Sequence, residues 1–121
     1  MRIGRTTVFL AVLFAACLSM AAAEEKYGVK VYDGATYDAD TSQSLKSSMK
    51  LEAACYRTSA PIAQVIEFYK KQPAIKEVHT SPTSGMFKKG NVDVTIQSPY
   101  MDMKTHQRNK DTLITIVNQK P

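Results

Sequence analysis

Apolar and polar positions alternate in two stretches of the chain. From Met49 to Tyr56, Met49, Leu51, Ala53 and Cys55 share one parity, and Lys50, Glu52, Ala54 and Tyr56 share the other. Between positions 92 and 97, Val92, Val94 and Ile96 alternate in the same way with Asp93, Thr95 and Gln97. Successive side chains of a strand point to opposite faces, so this period of two predicts half-buried strands. The parity of the first strand places Cys55 toward the core as an inert, packed thiol. Gly90-Asn91 joins the second strand to Met86–Lys89 as a tight hairpin, and Ser98-Pro99 interrupts it at a bulge or an edge. Thr112 to Val117 is rich in β-branched residues, as closing strands are.

Between these lies a stretch with a different period. Ile62, Val65, Ile66 and Tyr69 recur at i, i+3, i+4 and i+7, with Phe68 widening the apolar stripe and Gln64, Glu67, Lys70 and Lys71 on the other side. This predicts an amphipathic helix, with Thr58 or Ser59 offering an N-cap, Pro61 in the first turn and Pro73 ending it. Tyr27, Val29 and Val31 read as a short strand before the Asp33-Gly34 turn, and Ala35 to Tyr37 as a brief second one. Asp38 to Ser48 is polar and reads as loop, with at most a short turn of helix or strand around Ser44-Leu45-Lys46. Ile75 to Thr80 reads as a strand or an extended connection, and His106 to Asp111 as a polar hairpin loop. The expected fold class is α+β: a single antiparallel β-sheet with one amphipathic helix packed on one face.

The first 23 residues change the picture of where this domain works. Arg2 and Arg5 precede an apolar run from Thr6 to Ala16, and Ala21, Ala22 and Ala23 stand just before Glu24 and Glu25. A positive start, an apolar middle and a small-residue boundary are the parts of a secretory signal, so residues 1–23 are expected to be a signal peptide and residues 24–121 one small domain. Two other fates stay open. Phe14-Ala15-Ala16-Cys17 resembles the lipoprotein signal in which the cysteine becomes lipidated, and the apolar run could persist as an anchor, although it is short for a hydrocarbon core of roughly 30 Å. Each places the domain outside the cytoplasm, in the periplasm or secreted.

Removing the signal takes two of the 16 basic residues and none of the 11 acidic ones, so the whole-chain net charge of +5 becomes +3. The charge is uneven: residues 70–121 carry +5 and residues 24–69 carry −2. So mild an asymmetry favours an anionic partner at most, and it is far from the basic stripe of a nucleic-acid binder, so no nucleic acid is expected as partner. Removal also takes Cys17, leaves Cys55 as the only cysteine and rules out an intrachain disulfide. A domain of this length has a modest core and little room for a deep cleft besides.

The candidate chemistry is sparse. Asp38, Asp40 and Ser42 match the start of a calcium-binding loop, but Gln43 stands where that loop needs glycine and Met49 where it needs glutamate. His79 and His106 lie in no zinc-ligand spacing. Ser47-Ser48-Met49-Lys50 contains Ser-x-x-Lys without the companion motifs that make it catalytic, and the glycines form no phosphate-cradling loop. Neither catalytic residues nor a cofactor nor a metal site is assigned.

The mature chain has six tyrosines, two phenylalanines and no tryptophan. A ring with a wet hydroxyl suits a recognition surface, and Tyr32, Tyr37 and Tyr100 fall near expected turns or edges. With His106 in the last hairpin loop, they are the candidate contact residues. The strand-to-helix passage through Ala54-Cys55-Tyr56-Arg57-Thr58 and Val65-x-x-Phe68-Tyr69-Lys70-Lys71-Gln72 resembles small exported bacterial proteins of uncharacterised function. The resemblance implies an exported bacterial α+β domain and carries no active site. The expected function is a non-enzymatic binding module for a protein, an envelope component or a small ligand, touching the membrane only through its signal or a lipid anchor. The alternatives are an enzyme or accessory subunit with a distributed site, or an envelope protein lipid-anchored through Cys17.

Overall fold

The computed structural model describes residues 24–102 and 105–119. The expected signal, with Cys17, lies outside the described residues. In chain order the elements are β1 (Glu25–Lys26), β2 (Val29–Lys30), β3 (Thr36–Tyr37), α1 (Ala39–Met49), β4 (Glu52–Thr58), α2 (Ile62–Lys70), β5 (Lys76–Ser81), β6 (Ser84–Lys89), β7 (Val92–Gln97), β8 (Tyr100–Met101), β9 (Arg108–Asn109) and β10 (Thr112–Asn118). The fold is α+β, as expected. Instead of one sheet with one helix, the described residues form two helices, a main antiparallel sheet of order β3-β4-β10-β7-β6-β5 and two short ladders, β1-β2 and β8-β9.

The alternating positions of each strand divide between the two faces of the main sheet. Ala54 and Tyr56 of β4, Ile114 and Ile116 of β10, Val92, Val94 and Ile96 of β7 and Phe87 of β6 point to one face. There they meet Val65, Ile66 and Tyr69 of α2 and Val29 and Val31 from the β2 segment, forming the main core. The Tyr69 hydroxyl donates to the Lys30 carbonyl oxygen at 2.8 Å and so fastens β2 to the helix. Gly85 lets α2 come close, because a Cβ there would lie 2.9 Å from Ile66 Cγ1. The α2 stripe read from the period of 3.6 is the buried one, but its cap is different. Pro61 occupies the N-cap position without a side-chain hydrogen bond, and Thr58 instead accepts the Ala60 N–H through Oγ1.

The opposite face carries α1. Its residues were expected to form a loop because serines and aspartate compete locally for backbone hydrogen bonds and few apolar side chains mark a stripe. Two contacts outweigh that tendency. Asp38 caps the helix, its Oδ1 accepting the Thr41 N–H at 3.1 Å, and the fully buried Ser42 Oγ accepts the Cys55 N–H at 2.8 Å, tying α1 to β4. The helix ends at Lys50, whose left-handed φ of 58° closes it. Met49 therefore belongs to α1, and the strand begins only at Glu52.

With a helix on each side, β4 is buried on both faces. Ala54 and Tyr56, expected on the outer parity, lie in the main core, while Cys55 packs with Tyr100, Leu113 and Leu45 under α1. Ser98-Pro99 interrupts the chain between β7 and β8, as expected, but β7 is an interior strand, and the register shift lies in β5, between Glu77 and His79.

Candidate functional site

The two sheet faces are covered unequally. On the α2 face, helix and β1-β2 segment close a continuous core, whereas on the α1 face the helix packs mainly on β4. Between α1 and the outward side chains of β10 and β7 runs a trough of about 280 Å³. Thr41, Leu45 and Met49, one helical stripe at steps of four, form one wall. Leu113, Thr115 and Val117 of β10 form the floor, Thr95 and Gln97 of β7 line the far side, and Met101 of β8 closes one end. Among the described residues, none that lines it is charged. Met49 and Met101 are 43% and 60% exposed, so two long, adaptable thioether side chains stand at its rim.

Beside the floor, beneath α1, Cys55 Sγ and Thr115 Oγ1 lie 3.7 Å apart. Burial pushes the thiol's pKa up, the carboxylate of Asp38 adds to this, and the hydrogen bonds with Thr115 and Ser42 offset part of it. Cys55 is thus a packed thiol, as its strand suggested, with no access to the trough.

The four sequence-derived contact residues do not converge. Tyr32 is half-buried on the α2 face, edge-on to Phe68 with ring centroids 5.1 Å apart, and its hydroxyl accepts from Gln64 Nε2. Tyr37, 46% exposed on the short edge strand β3, leans edge-on against Tyr56. Tyr100 is buried on the opposite side, with the Arg57 guanidinium 5.7 Å from its ring centroid. Its buried hydroxyl makes no hydrogen bond of good geometry to any described residue, and burial raises its pKa, with Asn109 and Asp111 near enough to act in opposite senses. Its apolar body was needed under α1, a helix the sequence did not reveal. His106 is exposed at the tip of the β8-β9 hairpin, at φ 60°, its N–H donating to the Asp102 carbonyl oxygen.

The acidic residues read against the calcium pattern have structural partners. Asp38 caps α1 and also lies 3.8 Å from Arg57, and Asp111 accepts from Arg57 Nε at 3.2 Å. Among the described residues no group of three or more His, Cys, Asp or Glu side chains could hold a metal ion. A larger basin of about 610 Å³ is lined by Lys26, Lys46, Lys50 and Glu52. Lys46 and Lys50 sit at the carbonyl end of α1, where cations offset the helix dipole and an incoming anion would meet its negative pole. That basin is explained by the helix, and the trough is not.

Sequence reasoning missed the trough because it needs α1, but one signal was present. On the outward parity of β7 and β10, Thr95, Gln97, Leu113, Thr115 and Val117 are all uncharged, and Asp93 alone carries a charge. Among the described residues no helix is long and apolar enough to cross a membrane. No family model matches the chain, and neither do any curated proteins or solved structures.

Proposed function

We propose that the protein is an exported, non-enzymatic binding module and that the trough between α1 and the sheet receives an uncharged, largely apolar group. The observation that carries this reading is the lining: apolar, hydroxyl and amide side chains without one charge among the described residues, opening beside two exposed methionines. Such a surface offers dispersion contact and a few neutral hydrogen bonds but no general acid, base or nucleophile. Thioether side chains at the rim let one surface fit ligands of differing shape.

The test is a titration with a neutral fluorescent naphthylamine, whose emission rises in an apolar site. Binding is expected, and Met49→Glu and Met101→Glu should each weaken it about tenfold, the equivalent of about 1.4 kcal/mol. Both positions are exposed, so neither change should unfold the domain. Tyr37→Ala should leave binding as it was. A probe that binds equally well to the rim variants, or that loses affinity only with Tyr37→Ala, would place binding elsewhere.

A further inference from the structure

We propose that His79 and Met86 form a site for a soft monovalent cation of the Cu(I) class on the open part of the α1 face. The site adjoins the far side of the trough, where Met86 pairs with Thr95, but neither His79 nor Met86 lines the trough, and the site does not depend on the function proposed for it. It rests on the register of β5 against β6. Glu77 pairs with Phe87, so an unbroken ladder would set Val78 opposite Met86; the register shift sets His79 there instead. Directly opposed residues of an antiparallel pair share a face, and their Cβ atoms typically lie about 4.5–5.5 Å apart. That separation lets an imidazole nitrogen and a thioether sulfur reach one ion.

The bulge has a cost and an outcome. It interrupts the ladder and leaves Val78 57% exposed, and what it gains is the pairing of His79 with a methionine that is itself 44% exposed. Bulges commonly re-aim a side chain in this manner. Met86 faces Thr95 on its other side, so it adds nothing to the α2 core.

Two lysines flank the pair on its face, Lys88 and the exposed Lys76 directly opposite it, so a bound cation has to be held by the affinity of soft donors and not by local charge. Lys88, beside Met86 in β6, is paired with Asp93 at 3.1 Å, and Ser81 and Ser84 hydrogen-bond each other at 3.1 Å. Glu77 pairs with Phe87, on the α2 face, and accepts from Thr80 Oγ1. Among the described residues no carboxylate joins the pair, so the donors are one imidazole and one thioether. Thioether favours Cu(I), while divalent calcium and magnesium require oxygen ligands.

Ag(I) is a redox-inert probe of this class, and its titration into the purified protein can be followed through the methionine methyl and histidine ring resonances. The first equivalent should shift Met86 and His79, and His79→Gln and Met86→Leu should each weaken binding at least tenfold. Both side chains are exposed, so the variants should keep the wild-type fold, which the remaining resonances will show. Ca(II) should shift neither residue. Absence of Ag(I) binding, or a first equivalent that binds at Met49, Met101 or His106 and is indifferent to both variants, would overturn the proposal. Retention of naphthylamine binding by His79→Gln is expected and keeps the two sites distinguishable.

Discussion

Cys55 was legible from the sequence and carries a direct expectation. It is fully buried and its pKa is raised, so the reactive thiolate is both scarce and inaccessible. Native protein should resist alkylation by iodoacetamide, and denatured protein should react at once, as intact mass will show; rapid reaction of the folded protein would contradict this packing. Tyr100 was not legible in the same way. Nothing in its neighbourhood along the chain distinguishes an edge tyrosine from one packed beneath a helix 50 residues earlier. Two further tyrosines give the protein an alkaline limit. Burial raises the pKa of Tyr69 and Tyr56 well above the ordinary value of 10.0, with Glu24 adding to the effect at Tyr56. The unfolded chain therefore releases these protons first as pH rises beyond about 10, so stability is intact below that pH and falls above it. Urea unfolding between pH 8 and 11 should show the decline, and Tyr69→Phe should make it shallower while losing the bond to Lys30.

At the level of elements, α2 was readable because its apolar stripe follows the helical period, and Ile66→Asp should unfold the domain by placing a charge in the main core. Gly85→Ala should also destabilise it, since the added Cβ would press on Ile66; a melting temperature unchanged by either substitution would contradict the packing of α2. Helix α1 was hidden by its serines and has to be held by specific contacts. Asp38→Ala removes its cap at a cost of about 1 kcal/mol. Ser42→Ala strands the buried Cys55 N–H at a cost of about 1–3 kcal/mol. Denaturant midpoints for the two variants give these costs, and wild-type midpoints would mean that α1 is held by something else. The parity of β4 misled for a related reason: two-sided burial erases the alternation that a half-exposed strand would show.

For the molecule as a whole, the sheet is closed on one face and open on much of the other. The strands, their hairpins and the helix over the closed face follow from local periodicity. The trough requires the meeting of α1, β7, β8 and β10, none of them neighbours of α1 along the chain, and so it emerges only in three dimensions. The export expected from the first 23 residues, together with this open face, leads to the account of a binding module working outside the cytoplasm. Its central claim is the place of binding, which chemical-shift mapping with the neutral naphthylamine tests most directly. Shifts should concentrate at Leu45, Met49, Thr95, Met101, Leu113, Thr115 and Val117. Shifts centred instead on Tyr37, on the His106 hairpin or on the lysine-lined basin would contradict it.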